Sequence, residues 1–466
     1  MSRLISLQDP TATDQNTGIM ENYAHLGLLD NPFPVDGIIN PASPDPRVNG
    51  TIFEPGIRRG VILDFESKLL GVSNPEQRYR MGYLWAQGDQ AFGRGVGKTA
   101  ILLHLMRSIN RNWGETYFKG KFPVCALYVY PPQNMNRLEY LAVLAMCELV
   151  ALGVINSAVT NLRYRVIMES NWPEDQVERV RNLRLEEGKK LLSNDWLISN
   201  GFDLKALEDL VIALLVSNNV EADFARAIAA NDLLGYLKSM RKDGLLDFPP
   251  PPRDLALYRK ANNLFFTQTL RTLKIAGFKG VYLFVDDIEN MIDKMGRRER
   301  ETFTKELGYI LLRGDYEAGI SRFLTLVLTT HAAAAQRLSE AWGLAGLQSS
   351  LPMSLDAPNS ILVPLLDLNE AKEVVKRHLN HYRKDKSQPE NPAEIFKPFT
   401  EEAVELLVQQ CNYHPREFLS KAHFTIERAK QEDSRTLIDK AFIEASLLDT
   451  NSIRAGLNEA IDISLL

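Results

Sequence analysis

The stretch that decides the fold is Gly88-Asp89-Gln90-Ala91-Phe92-Gly93-Arg94-Gly95-Val96-Gly97-Lys98-Thr99-Ala100. An apolar run, Met81-Gly82-Tyr83-Leu84-Trp85-Ala86, precedes it, and apolar residues recur after it at Ile101, Leu102, Leu105 and Ile109. A short apolar run is typical of a buried strand, whereas recurrence every three or four residues is typical of a helix. The pattern therefore predicts a strand, a glycine-rich turn and a helix, in that order.

A turn in this context suits a bound phosphate. Glycines let the backbone curl and direct its N–H groups inward, and the N-terminus of the next helix adds partial positive charge. In this pattern Lys98, which we expect to be exposed, reaches the β- and γ-phosphates, and Thr99 places its hydroxyl on Mg²⁺. The predicted ligands of Mg·ATP are Gly93, Gly95, Gly97, Lys98, Thr99 and Ala100. Phe92 stands where the strict pattern has glycine.

A second polar feature follows an apolar strand at residues 280–285, which ends in Asp286 and Asp287. Carboxylates at the end of a buried strand are costly unless a cation is present. Asp286 is predicted to accept a water of the Mg²⁺ shell, and Asp287 to polarise the attacking water, with Glu289 as a less favoured substitute. The structural alternative is an Asp pair that caps a strand-to-helix turn.

The rest of the chain alternates strand-like and helical patterns. Further short apolar runs lie at 124–130, 281–285, 323–328 and 361–365. Strands that alternate with helices predict an α/β fold, with a parallel sheet covered by helices on both faces. The predicted divisions are an extended N-terminal arm at 1–60, an ATPase core at 61–135 and 260–367, a helical insertion at 136–259, a helical lid at 368–432 and a helical tail at 433–466.

Composition is that of a globular protein with several units: 466 residues, 45% hydrophobic, 24% charged and a net charge of -5. The three cysteines form no CxxC pair, so we expect buried thiols in a reducing compartment rather than a zinc site or disulfides. Asp9-Pro10 comes before any apolar run could form a signal sequence. The most apolar window, 138–155, contains two glutamates and favours a buried helix over a membrane span. We therefore expect a cytoplasmic protein without a membrane segment.

At its loop and acidic strand the chain resembles the AAA+ and STAND class of P-loop ATPases, over about residues 60–130 and 260–430. The resemblance is to the origin-recognition-like branch and to ATP-binding proteins of the bacterial BREX phage-defence type. The approach Ala276-Gly277-Phe278-Lys279-Gly280-Val281 is similar to the BREX pattern. The resemblance to these ATPases implies a P-loop NTPase fold with a C-terminal helical lid. Asp287 stands where AAA+ proteins have glutamate and looks more like STAND proteins, which implies slow turnover.

The resemblance also implies roles for residues further along the chain. The run that ends Thr329-Thr330-His331 is similar to the sensor-1 strand, so Thr329 or Thr330 would contact the γ-phosphate side. Tyr413-His414-Pro415-Arg416 resembles the G-x-P-R turn of sensor 2, with tyrosine in place of glycine, and Arg416 would reach the γ-phosphate. AAA+ proteins commonly complete the site with an arginine from a neighbouring subunit. The candidates are Arg297, Arg298, Arg300, Arg322 and the preferred Arg313; a solvated helix face is the alternative for 296–301.

The resulting hypothesis is a Mg·ATP-dependent ATPase that forms homo-oligomers and acts on double-stranded DNA or partner proteins, in phage defence or mobile-element biology. The alternative is a slow nucleotide-gated STAND-type adaptor or transposition regulator that recruits an effector protein. A metabolic P-loop kinase is disfavoured by the lid and the insertion. Candidate DNA contacts in the insertion are Arg163, Arg165, Arg179, Arg181 and Arg184. Interspersed acidic residues favour a solvated mixed-charge helix instead.

Overall fold

The computed structural model describes most of the chain. The described residues are 21–71, 79–86, 95–115, 123–131, 137–239, 263–313, 322–349, 352–354, 356–385, 391 and 394–446. Phe92 and Gly93 of the predicted phosphate loop, and the tail beyond 446, lie outside them.

A five-stranded, all-parallel sheet flanked by helices confirms the predicted α/β class. Its strands are β1 (Met81–Ala86), β2 (Val124–Val129), β3 (Gly280–Val285), β4 (Leu324–Thr330) and β5 (Ser360–Val363). They lie in the order β2-β3-β4-β1-β5. Val285 is in register with Val129 on one side and Leu328 on the other, so the carboxyl ends of β2, β3 and β4 meet at one edge. In open parallel sheets, ligands bind at this edge.

The strands are apolar because helices cover the sheet. Every residue of β1 to β4 is buried. Parallel strands buried on both faces have continuous apolar runs rather than alternating ones, which is why five short apolar runs were sufficient to locate them. All five lie within a residue or two of the predicted positions.

Helices fill most of the remaining described chain. They are α1 (Arg59–Phe65), α2 (Lys98–Asn110), α3 (Leu138–Ala151), α4 (Val154–Glu169), α5 (Glu174–Arg181), α6 (Asn194–Ser199), α7 (Leu204–Ser217), α8 (Ala222–Ala229), α9 (Leu233–Ser239), α10 (Leu270–Ile275), α11 (Glu289–Ile292), α12 (Arg297–Gly308), α13 (Ala332–Leu344), α14 (Leu368–Tyr382), α15 (Glu401–Gln410) and α16 (Pro415–Lys430). Short 3₁₀ segments occur at Glu21–Leu26, Arg111–Gly114 and Leu185–Leu192, and π-helical segments at Glu66–Leu70, Asn263–Thr269 and Tyr309–Arg313.

The chain divides into two compact units. The first contains the described residues within Leu63–Trp85 and Leu105–Ile361. Its core is one hydrophobic cluster that contains insertion residues such as Met146 and Phe224 together with sheet residues such as Leu283 and Leu326. The described helices of the predicted insertion therefore share their apolar core with the sheet.

The second unit contains the described residues within Ala12–Ile62, Ala86–His104 and Leu362–Leu466. In its hydrophobic cluster, Tyr23 and Phe33 of the N-terminal arm are buried with lid residues such as Phe418. The arm is also held by Asn31, whose side-chain amide donates to the His423 carbonyl at 3.1 Å and to Glu427 at 2.7 Å. Burial of the arm thus depends on the lid helices.

Within the described ranges, no single helix is both long enough and apolar enough to cross a membrane, although α3 and α4, which are bent by 66° relative to each other, meet both requirements as a pair.

Candidate functional site

The candidate residues lie in two groups, one in each compact unit. In the second unit, residues 95–97 lead into α2, whose first residue is Lys98. Gly95 has φ +80° and Gly97 has φ +98°, a left-handed conformation that glycine adopts without steric cost. A Cβ at Gly97 would meet no atom within 4 Å, so only backbone conformation requires glycine there.

Gly95 is also required by its neighbours. A Cβ at this position would lie 2.8 Å from Arg416 Cβ and 2.8 Å from His414 Cε1. The structure therefore brings the predicted sensor-2 turn against the end of the predicted phosphate loop, within one unit. Tyr413, at the position where the resembling turn has glycine, has φ +60°. That position does need the left-handed conformation, which costs a tyrosine roughly 1–2 kcal/mol.

Alanine at Gly95 tests this contact. Gly95→Ala should lower the free energy of unfolding by roughly 1–3 kcal/mol, because the added methyl group overlaps two side chains in a left-handed backbone. It should also weaken nucleotide binding if residues 95–97 hold phosphate. Thermal unfolding and nucleotide titration measure the two effects.

Gly60→Ala in α1 is the control, because its Cβ would meet nothing within 4 Å. Equal effects of Gly95→Ala and Gly60→Ala would contradict the assignment of residues 95–97 to phosphate.

Arg58 joins this group, although the sequence did not single it out. It is 5% exposed, and its Nη2 donates to the Val96 carbonyl at 3.0 Å. Burial lowers the pKa of Arg58, and the carboxylates of Glu370 and Asp367 partly offset that shift. Two adjacent arginines after the proline-rich arm were the only local signal, and Arg59 beside it is exposed.

Lys98 is 5% exposed, so the expectation of an exposed lysine is wrong. A lysine can bury its aliphatic stem and still direct its ammonium group to a polar partner. Thr99 and Ala100, in the first turn of α2, are half-buried.

In the first unit, the end of β3 holds Asp286 in a fixed position. Asp286 is 1% exposed. Its Oδ2 accepts a hydrogen bond from the Tyr128 hydroxyl at 2.8 Å. Its Oδ1 accepts from the Thr329 hydroxyl and from the Asp287 N–H, the latter at 3.2 Å. Donors on both carboxylate oxygens restrict rotation of the group.

Asp287 has φ +45°, which is uncommon for a residue other than glycine. Its N–H donates to Thr329 Oγ1 at 2.8 Å, and its side chain is half-buried. Such a conformation costs on the order of 1–3 kcal/mol and occurs often at functional sites. Thr329 thus connects the two carboxylate residues, since it donates to Asp286 and accepts from Asp287.

The two threonines predicted for sensor 1 lie at the end of β4, as expected. Thr329 donates its hydroxyl proton to Asp286, and the Thr330 hydroxyl donates to the His331 carbonyl at 3.2 Å. Both hydroxyl groups therefore donate to acceptors within the protein. Contact with a phosphate would require one of these hydroxyl groups to rotate.

Glu289, the substitute for Asp287, is 1% exposed, and its Oε1 lies 4.0 Å from His331 Nε2. His331 caps α13, because its Nδ1 accepts from the Ala334 N–H at 3.3 Å. The neutral imidazole therefore carries its proton on Nε2, on the side of Glu289.

The arginines predicted to act between subunits occupy varied environments. Arg297 pairs with Glu301 at 3.2 Å, and Arg300 donates to the Met295 carbonyl at 2.8 Å. Arg313 is the last residue of a π-helical segment, and its side chain is outside the described residues.

One candidate DNA contact is excluded. Arg163 is 2% exposed and donates to the carbonyls of Leu191 and Ala229, so the interpretation of this residue as solvent-facing is wrong. An arginine on a helix can be buried when backbone carbonyls accept the hydrogen bonds of its guanidinium group. The other four each have a nearby carboxylate: the pairs are Arg165–Glu169, Arg179–Asp175, Arg181–Glu174 and Arg184–Glu186. This pairing is that of a mixed-charge surface.

Comparison with models of protein families gives no match, and comparison with curated proteins finds none that is similar. Among the described residues, no group of three or more His, Cys, Asp or Glu side chains could hold a metal ion.

Proposed function

We propose that the chain binds Mg·ATP and hydrolyses it. The observation that carries the proposal is the cluster of basic side chains at Gly95 and Val96: Arg58 on the Val96 carbonyl, and His414 and Arg416 against Gly95. Arg58 Nη1 and Arg416 Nε are buried and have no hydrogen-bond acceptor among the described residues. Buried donors are normally satisfied, so this cluster suits an anion.

The backbone supports a phosphate as that anion. Two glycines in left-handed conformation lead into the N-terminus of α2, which has 13 residues and begins with Lys98. Backbone N–H groups and the helix dipole both favour negative charge at such a terminus. In the proposal Lys98 binds the terminal phosphates and Arg416 stabilises the charge on the γ-phosphate.

The acidic group fits a magnesium ion that is bound partly by the nucleotide. Mg²⁺ typically uses one or two carboxylates together with phosphate oxygens and waters, so a cage of three protein ligands is not needed. When bound, the ion neutralises charge on the phosphates. Asp286 would hold its water shell. Asp287 would orient the attacking water and accept its proton.

The second candidate function is that of a nucleotide-gated adaptor, which hydrolyses ATP slowly. The observation that favours it is Asp287 itself, a short carboxylate on a left-handed backbone. ATP turnover measured with and without duplex DNA separates the two. Stimulation by DNA supports an ATPase that acts on DNA, whereas slow, DNA-independent turnover with tight binding supports the adaptor.

Assembly is a further expected result of ATP binding. If a neighbouring subunit contributes an arginine, the assembled state binds ATP more tightly, and ATP must therefore promote assembly. Mass photometry with Mg·ATP should show oligomers that are absent without nucleotide. Arg313→Ala should bind ATP normally but assemble poorly and hydrolyse slowly.

Arg297→Ala is the matched control for this prediction, because Arg297 already pairs with Glu301 on an exposed helix face. Equal loss of assembly in both variants would remove the specific role of Arg313. A chain that stays monomeric with ATP, Mg²⁺ and DNA would contradict assembly and favour the adaptor.

A further inference from the structure

Tyr128 is the residue of the acidic group for which the proposed function assigns no role. It is the fifth of the six residues of β2, and it is 7% exposed. Its hydroxyl donates to Asp286 Oδ2 at 2.8 Å, across 158 residues of sequence. A tyrosine hydroxyl buried beside a buried carboxylate is not needed for packing, since phenylalanine fills nearly the same volume.

The hydroxyl is well suited to be a permanent donor. Burial raises the pKa of Tyr128 far above its usual range, and the neighbouring Asp286 carboxylate raises it further. The phenol is the donor of the bond to Asp286 Oδ2. Its bond is charge-assisted, a class that is shorter and stronger than bonds between neutral groups.

Geometry around Asp286 gives this bond its effect. Thr329 and the Asp287 N–H hold Oδ1, while Tyr128 holds Oδ2. Because one oxygen is bound from β4 and from the turn after β3, and the other from β2, the plane of the carboxylate is fixed. Orientation of a carboxylate decides how well it accepts from a water of a metal shell, and loss of an outer-shell group of this kind typically costs roughly 10- to 100-fold in metal affinity or activity.

We propose that Tyr128 is a positioning residue that orients the Asp286 carboxylate for the magnesium ion of the nucleotide. This inference rests on the proposed function. Its hydroxyl acts through Asp286 and touches neither nucleotide nor metal.

Tyr83 provides a matched control for the hydroxyl. It lies on the same sheet, in β1, and is fully buried. Its hydroxyl has no hydrogen-bond partner among the described residues. Tyr83→Phe and Tyr128→Phe therefore each remove one buried oxygen, but only the second breaks a bond to Asp286.

The experiment is a titration of the full chain with a non-hydrolysable ATP analogue over a series of Mg²⁺ concentrations. For Tyr128→Phe, the Mg²⁺ concentration that gives half of the metal-dependent gain in affinity should rise roughly 10-fold, the lower end of the range for loss of an outer-shell group, because Asp286 itself remains. Affinity without metal should not change, and Tyr83→Phe should match the wild type in both measurements. A merely structural role would change affinity with and without metal alike.

A wild-type Mg²⁺ dependence in Tyr128→Phe would overturn the inference while the proposed function stands. A wild-type chain that binds no nucleotide would overturn the proposed function and the inference with it. Unfolding supplies a readout that needs no nucleotide: Tyr128→Phe should destabilise the wild type but not the Asp286→Ala variant, in which the acceptor is gone. Equal destabilisation in both backgrounds would also overturn the inference.

Discussion

Lys98→Met should weaken the binding of Mg·ATP by roughly 10- to 100-fold. The physical reason is the loss of a charge-assisted bond to the terminal phosphates, a class of bond worth about 1.5–3 kcal/mol. Methionine is chosen over alanine because Lys98 is buried, and an unbranched side chain keeps the packing of its aliphatic stem. Titration with a fluorescent ATP analogue measures the effect.

Stability must be followed in the same samples. In thermal unfolding without nucleotide, Lys98→Met should lose less stability than Lys98→Ala, because methionine fills the space of the buried lysine stem and alanine does not. Lys440→Met, which changes an exposed lysine in the same unit, is the control for loss of charge. If Lys98→Met bound and hydrolysed ATP as the wild type does, the assignment of residues 95–99 to phosphate would be wrong.

Asp287→Asn should leave ATP bound but lower its hydrolysis about 100- to 10,000-fold, the usual contribution of a general base. An amide keeps the size of the side chain but cannot accept the proton of the attacking water. Asp287 is half-buried, so the free energy of unfolding should change little. Single-turnover hydrolysis and nucleotide affinity, measured together, separate the two effects.

Asp286→Asn should behave differently, because Asp286 is buried and bound by three donors. Loss of its charge weakens the charge-assisted bonds from Tyr128 and Thr329, so stability should fall. The Mg²⁺ requirement should also rise. Equal loss of nucleotide binding in the two variants would remove the division of roles between the adjacent aspartates. If hydrolysis persists in Asp287→Asn and is lost in Glu289→Gln, the general base is Glu289 and not Asp287.

The parts of the fold that depend on local pattern could be predicted. Each strand is a short, mostly apolar run, because a parallel strand covered on both faces favours apolar side chains. Strand order could not be predicted in this way. The position of β1 between β4 and β5 is set by which helices pack together, and no local pattern contains that information.

The candidate site could be proposed from the sequence where its chemistry follows a fixed spacing, as in Gly95, Gly97 and Lys98. Contacts between distant segments were not predictable. Arg58 reaches the Val96 carbonyl across 38 residues, and Tyr128 reaches Asp286 across 158. Burial of Lys98 was missed because its sequence neighbours are small residues, whereas burial depends on the elements packed around them. Tyr413 stands where the resembling turn has glycine, but its backbone still has the left-handed conformation that glycine favours. The conformation of this turn therefore could not be predicted from the residue type alone.

The central claim is that this chain holds Mg·ATP, and isothermal titration of the full chain with ATP in the presence of Mg²⁺ tests it most directly. The account predicts one saturable site per chain. Its affinity should fall when Mg²⁺ is chelated and should fall again in Lys98→Met. A folded wild-type chain that releases no binding heat with ATP or ADP up to millimolar concentration, and whose thermal unfolding neither nucleotide shifts, would contradict the claim.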